Sequence, residues 1–257
     1  MKTIRLLPAT LALVGLAVFA AQSETLLSEK FVRKERLVQN LPMTAAWYTA
    51  YNSSGLKEKK GTLISENNRY ALAYFTATNT PKSLCLGDTI LVSLTFSLDA
   101  PQPNTTGFRI GILNSRGNRI GADNVGLTHS VFADYSGYAF FLNLQAKTAM
   151  RFYKRQAEVS DKLIHSSDAY KKLTGDEGVG TQFVSGQEYR AEIKLMRTSD
   201  GMDVSLMIDG CEGYSATHLD SGSDAVTAFD TVVIYCAASA AEGYTLHRMD
   251  VTLTPAQ

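Results

Sequence analysis

The strongest constraint in this chain is a strict two-residue alternation of apolar and polar side chains. In 88–98, Ile90, Val92, Leu94 and Phe96 fall on one side, and Ser93, Thr95 and Ser97 on the other. A pleated strand sends successive side chains to opposite faces. Such a segment covers a core with one face and meets water with the other, as in an antiparallel sheet. Tyr189, Ala191, Ile193 and Leu195 alternate in the same way with Arg190, Glu192 and Lys194. After the turn residues Ser199-Asp200-Gly201 the pattern resumes with Val204, Leu206 and Ile208 and stops at Asp209-Gly210. This reads as a β-hairpin with its own turn chemistry.

Further strands are expected over 45–51, 61–65, 69–76, 107–113, 137–144, 149–154, 213–218, 230–236 and 245–254. Only 159–173 carries a weak helical pattern. Strands do not alternate with long helices, which disfavours a parallel α/β sheet. About a dozen strands with Gly- and Asn-rich turns predict an all-β fold, a two-sheet antiparallel β-sandwich of the jelly-roll kind. Ile90, Val92, Leu94, Phe96, Ile193, Leu195, Leu206 and Ile208 should lie between the sheets. No repeat or low-complexity linker divides the chain, so residues 25–257 read as a single domain.

The first residues read as an address. Lys2 and Arg5 precede an apolar run, 6–21, of signal-peptide length and short for a membrane span. Residues 1–20 are expected to be a signal peptide, with cleavage as late as residue 23. The mature chain should then be secreted or periplasmic, with no membrane association. Three cysteines, Cys85, Cys211 and Cys236, allow one disulfide whose pairing the sequence does not choose. Lys+Arg and Asp+Glu are 25 each, without the basic excess of a nucleic-acid binder.

Several patterns resemble the concanavalin A-like lectin/glucanase superfamily, including laminin-G-like jelly rolls. They are the opening Leu27-Ser28-Glu29-Lys30-Phe31, the strand 189–195 followed by Val204-Ser205-Leu206-Met207-Ile208-Asp209-Gly210, the segment Phe229-Asp230-Thr231-Val232-Val233-Ile234, and the closing Met249-Asp250-Val251-Thr252-Leu253. The resemblance implies two curved sheets with a glycan on the concave face or at loops along one rim. It also implies that the first and last strands run side by side. That would bring Glu29 and Asp250 together as metal ligands for a structural calcium ion, which takes 6–8 oxygens. The superfamily contains lectins, hydrolases and lyases, so the fold selects no activity.

Chemistry must come from the residues. A retaining glycosidase needs two carboxylates about 5–5.5 Å apart. The Glu-x-Asp-x-x-Glu run of the superfamily's hydrolases is absent, so a lyase has more support than a hydrolase. A polysaccharide lyase acting on a uronate-containing glycan needs a cation for the carboxylate and a base for the C5 proton. Arg151, Tyr153 and His129 are the residues that could serve. A glycan-binding site needs aromatic faces and planar polar groups. Arg109, Tyr138, Arg151, Tyr153, Tyr170 and Trp47 are the candidate ligand-binding residues, with Trp47 also suited to a core. Two long polar stretches, 114–136 and 155–186, should form the binding rim. Nucleophile-elbow, phosphate-loop and His-Glu-x-x-His motifs are absent, and Gly178-Val179-Gly180 lacks a third glycine. Asn52-Ser53-Ser54 and Asn104-Thr105-Thr106 match glycosylation sequons.

The expectation is therefore an exported, non-catalytic, lectin-like carbohydrate-binding domain whose partner is a polysaccharide or glycan. A polysaccharide lyase is the first rival, and a structural or protein-interaction sandwich the second.

Overall fold

The computed structural model describes residues 22–32, 36–102, 107–144, 150–173, 182–212 and 214–256. The expected leader, 1–20, lies outside them, as do Gly178-Val179-Gly180 and Asn104. The strands, in chain order, are β1 (Glu24–Glu29), β2 (Trp47–Thr49), β3 (Leu56–Lys59), β4 (Thr62–Glu66), β5 (Arg69–Tyr74) and β6 (Lys82–Ser83). Next come β7 (Thr89–Asp99), β8 (Phe108–Asn114), β9 (Ser136–Leu142), β10 (Met150–Arg155), β11 (Tyr170–Lys172) and β12 (Tyr189–Thr198). The last are β13 (Gly201–Asp209), β14 (Ser215–Asp220), β15 (Ala228–Phe229), β16 (Thr231–Cys236) and β17 (Gly243–Thr254). Among the described residues the helical pieces are two single 3₁₀ turns, Ser53–Gly55 and Ser130–Phe132. The helical pattern expected in 159–173 is overturned: this segment is turns leading into β11.

Two antiparallel sheets stack. The eight-stranded sheet runs β14-β13-β12-β7-β17-β4-β3, with β1 beside the later half of β17. The seven-stranded sheet runs β11-β10-β9-β8-β16-β5-β2, and β6 pairs with β15 in a small third ribbon. The hairpin of β12 and β13 is in the register that its alternation requires, with Ile193 opposite Leu206 and Leu195 opposite Val204. All eight predicted core residues are buried in the cluster between the sheets. Each contributes roughly 1.5–3 kcal/mol by leaving water. β1 lies antiparallel to β17, so the two ends of the domain do meet.

The two sheets differ on their outer faces. The eight-stranded sheet shows polar side chains there, as in β12, where Arg190 and Lys194 are exposed and Ala191 and Ile193 buried. The seven-stranded sheet is buried on both faces. Ser136–Leu142 and Thr231–Cys236 have no exposed residue at all. Its second face carries a separate apolar cluster of Tyr70, Leu72, Tyr74, Phe141 and Tyr235, capped by Phe132, Tyr135, Leu163 and Ile164. Those capping residues come from the two long loops, 115–135 and 156–169. The close approach explains Gly111 in the middle of β8: a Cβ there would meet Val233 Cγ1 at 2.9 Å and Ile164 Cδ1 at 3.3 Å.

Candidate functional site

The expected binding residues divide by strand phase. On β8, β9 and β10 the side chains of Arg109, Phe141, Arg151 and Tyr153 point to the loop-covered face, while Tyr138 and Phe152 point between the sheets. Arg151, Phe141, Arg109, Tyr235 and Tyr70 form one row across five strands. The Arg109 guanidinium sits 4.2 Å over the Phe141 ring and 5.7 Å from that of Tyr235, and its Nη1 donates to the Ile164 carbonyl at 2.7 Å. Tyr153 packs on Phe141 at 4.4 Å. The Tyr170 hydroxyl donates to the Leu163 carbonyl at 2.5 Å. Burial pushes that phenol up to about 12, away from the range of a base at neutral pH.

Four of these residues are therefore packing elements. Trp47 lies between the sheets with 1% exposure, 5.7 Å from the Phe31 ring. Tyr138 is fully buried, and Tyr153 and Tyr170 are roofed by the second loop. None offers a ring face to a sugar, because their apolar surfaces are already covered by protein. Arg109 and Arg151 are half-buried. His129 is exposed and accepts from Val131 N at 3.1 Å, capping the 3₁₀ turn at Ser130–Phe132. Its ring neighbour is Phe132, so it does not join Arg151 and Tyr153 in a lyase-like group.

Buried charges hold the loops down. The loops pair with each other: Thr128 bridges Lys162, and Leu163 N donates to Leu127 O at 3.1 Å. The wholly buried Arg155 guanidinium donates to carbonyls of both loops. These are Tyr135 and Phe132 (2.7 Å) in the first, and Ser160 (2.7 Å) and Lys162 (3.1 Å) in the second. Asp123 fastens the first loop to β2 by accepting from Thr49 N and the Arg36 guanidinium. The expected open rim is thus a closed lid over the sheet.

An accessible polar site lies at the edge of this lid. Alternation along β10 points Lys154 inward beside Phe152, at the end of the inter-sheet space. Its ammonium, 3% exposed, is 2.9 Å from Asp220 Oδ2 and 2.8 Å from Asp224 Oδ1. Tyr138 donates to Asp220 Oδ2 at 2.8 Å and accepts from Val226 N at 3.1 Å. Gln156 donates to the other Asp224 oxygen at 3.0 Å. A cleft of about 270 Å³ opens above this group, bordered by Arg116, Lys154, Arg155, Gln156, Glu158 and Asp224. Both long loops and the 221–227 turn between the sheets contribute. A larger groove of about 440 Å³ beside β1 has the apolar walls Leu26, Leu41, Phe75 and Pro81 and an already matched Lys82–Glu24 pair.

Sequence reasoning missed this cluster, although β10 held a signal for it. A lysine in phase with Phe152 must be buried with a counter-charge, since an unpaired buried ammonium is prohibitively costly.

The calcium ligands expected at Glu29 and Asp250 do not converge. In the β1–β17 register, Glu29 faces Met249 and Ser28 faces Asp250, so the two carboxylates emerge on opposite faces of the sheet. Glu29 is buried, and its oxygens accept from the backbone N–H groups of Lys30 (3.0 Å), Phe31 (2.9 Å) and Ala45 (3.0 Å). Asp250 accepts from Ser28 (2.7 Å) and Arg248 (2.5 Å). This donor set does not fit a metal, and among the described residues no three His, Cys, Asp or Glu side chains gather as one.

No family model and no curated protein sequence matches the chain. Solved structures do match in fold. The carbohydrate recognition domain of Emp47p superposes with a TM-score of 0.51 at 12% identity, covering 91% of this chain and 95% of its own. Peanut lectin gives 0.50 at 11% identity, covering 91% and 98%. An endo-1,3-beta-glucanase from Streptomyces sioyaensis gives 0.50 at 10% identity, covering 91% and 97%. At these identities the likeness concerns architecture: stacked antiparallel sheets with adjoining ends, as in lectins and in a glucanase alike. The chain has a concanavalin A-like jelly-roll fold.

Proposed function

We propose that the chain is an exported, lectin-like carbohydrate-binding domain whose glycan sits in the cleft above Lys154. One observation carries this reading. Planar polar side chains from two loops and an inter-sheet turn converge on the one described cleft that Lys154 and Arg155 border, and they stand on a rigid floor of salt bridges. Sugar recognition needs such planar donors and acceptors held in place before the ligand arrives. Similarity in fold to carbohydrate-binding domains supports it. The apolar leader-like segment, read from sequence, supports export, and among the described residues no helix is long and apolar enough to cross a membrane.

Catalysis has less support. Asp220 and Asp224 share the Lys154 ammonium, and that hydrogen bond holds the Asp224 carboxyl below the usual range. A hydrolase's general acid needs the opposite shift. Burial raises the Tyr138 and Tyr170 phenols, which works against these two as a lyase base.

A glycan array on the mature protein tests the reading, together with a Gln156→Ala/Asp224→Ala double variant of unchanged fold by circular dichroism. Retention of a glycan that the double variant releases is the expected result. Retention by both proteins equally moves the site, and no retention by the unaltered protein ends the proposal.

A further inference from the structure

Charged groups of both signs line the cleft, and those left without ion-pair partners point to a ligand class. Arg116 and Glu158 are exposed residues of opposite sign that border the same cleft, yet neither has an ion-pair partner among the described residues. Each occupies a left-handed backbone position, with φ of 50° at Arg116 and 62° at Glu158. That conformation costs an ordinary residue about 1–2 kcal/mol, and Gly or Asn would make the same turns more cheaply. The turns alone therefore do not call for these side chains.

The floor has one spare donor. Asp220 and Asp224 take two of the three hydrogens of the Lys154 ammonium. Arg155 spends both terminal nitrogens on loop carbonyls and its Nε is wholly buried, so Lys154 is the donor that the floor offers. Glu158 and Asp224 are acceptors at the same cleft, and Gln156 is planar and exposed.

We propose that this cleft takes one carboxylated sugar ring, a uronate residue of an acidic polysaccharide; the inference rests on the glycan-binding reading above. A pyranuronate carries its carboxylate at C5 and its vicinal hydroxyls across the ring at C2 and C3. The carboxylate meets the Arg116 fork, where bidentate pairing is strong, and the remaining hydrogen of the Lys154 ammonium. The hydroxyls donate to Glu158. The space suits one ring, being smaller than pockets that enclose drug-sized ligands.

The test is calorimetric titration of the mature protein with an oligouronate, its methyl ester, a neutral hexose oligomer of equal length, and polyglutamate. Variants Arg116→Ala and Glu158→Gln are checked for unchanged melting. The oligouronate should bind, its methyl ester at least tenfold more weakly, and Arg116→Ala should lose at least tenfold on the uronate alone. Glu158→Gln should weaken acid and ester alike. Equal binding of acid, ester and neutral oligomer overturns the uronate assignment and leaves the glycan reading standing. Polyglutamate binding as tightly as the oligouronate also overturns it, as charge attraction without sugar recognition. No binding by any saccharide here, with an empty glycan array, overturns both.

Discussion

Arg119 Nη2 lies 2.9 Å from Asp230 Oδ2, and the aspartate is wholly buried at the foot of β16. The same carboxylate accepts from Ser115 N (2.8 Å), Ser115 Oγ (2.5 Å) and Thr231 Oγ1 (2.6 Å). Arg119 also donates to the Thr76 carbonyl at 2.8 Å and lies 4.5 Å over the Tyr74 ring. One buried anion thus fixes the start of the first loop to β5 and β16. Asp230→Ala leaves a buried guanidinium and several donors unmatched, and breaking such a pair costs about 3–5 kcal/mol. Urea unfolding should show that loss, and a loss under about 1 kcal/mol would mean that water replaces the carboxylate.

Arg155 has the complementary role, a buried cation satisfied by four carbonyls rather than by an acid. Arg155→Met removes the shared donor, and each orphaned carbonyl costs about 1–3 kcal/mol unless water reaches it. Arg155→Lys should rescue little, because one ammonium cannot reach carbonyls on both loops. Hydrogen exchange should rise in 115–135 and 156–169 while β7, β12 and β17 stay protected. Uniform loss of protection would show that the lid and the sandwich unfold as one unit.

The sandwich was legible because its signal is local: Ile90 to Phe96 and Ile193 to Ile208 each declare a face by period alone. The lid was not. Phe132, Leu163 and Ile164 look like stray apolar residues in polar loops, and their burial depends on a sheet face assembled from five separated strands. Tyr153 and Arg151 were assigned correctly to one side of β10, but that side is covered, so replacing both by Ala removes packing on Phe141 rather than a clean ligand contact. Lys154 was legible in phase, whereas Asp220 and Asp224 reach it only through the return of the chain from β14.

None of the three cysteines is in a disulfide: Cys85 lies at the surface, and Cys211 and Cys236 are buried. Burial pushes the Cys236 thiol up to about 12. The thiolate is the reactive form, so this cysteine is inert in the folded chain. A thiol reagent should modify one cysteine in the native protein and three in denaturant, and the melting midpoint should ignore reductant. A midpoint that falls with reductant would reveal a disulfide.

Asp224 gives the inter-sheet turn a pH dependence. Its carboxyl is held below the usual range, first by the hydrogen bond from Lys154, with burial opposing and Gln156 adding. The unfolded chain keeps the ordinary value near about 4. A depressed folded pKa means that ionised Asp224 stabilises the fold above the unfolded pKa, and that this is lost as pH falls through the folded one. The melting difference between the protein and Asp224→Asn should be full at pH 5 and above and shrink below about pH 4. A difference constant across that range would deny the ionic link.

Glu29 decides whether the joined ends of the domain need a metal. Both of its oxygens are already matched to backbone N–H groups, two within its own turn and one from Ala45 across to β2's approach. Asp250 is bound to Arg248 and Ser28 on the other face. Calcium would have to displace those donors and draw together carboxylates that the strand register keeps apart. In protein shown to be metal-free, adding calcium or chelator should leave the melting midpoint where it was. Glu29→Ala, by contrast, leaves three N–H groups without acceptors, two of them buried, at about 1–3 kcal/mol for each that water cannot reach. The midpoint should therefore fall in this variant whether calcium is present or not. A calcium-dependent rise in the unaltered protein that Glu29→Ala abolishes would place an ion where the register leaves no room for one.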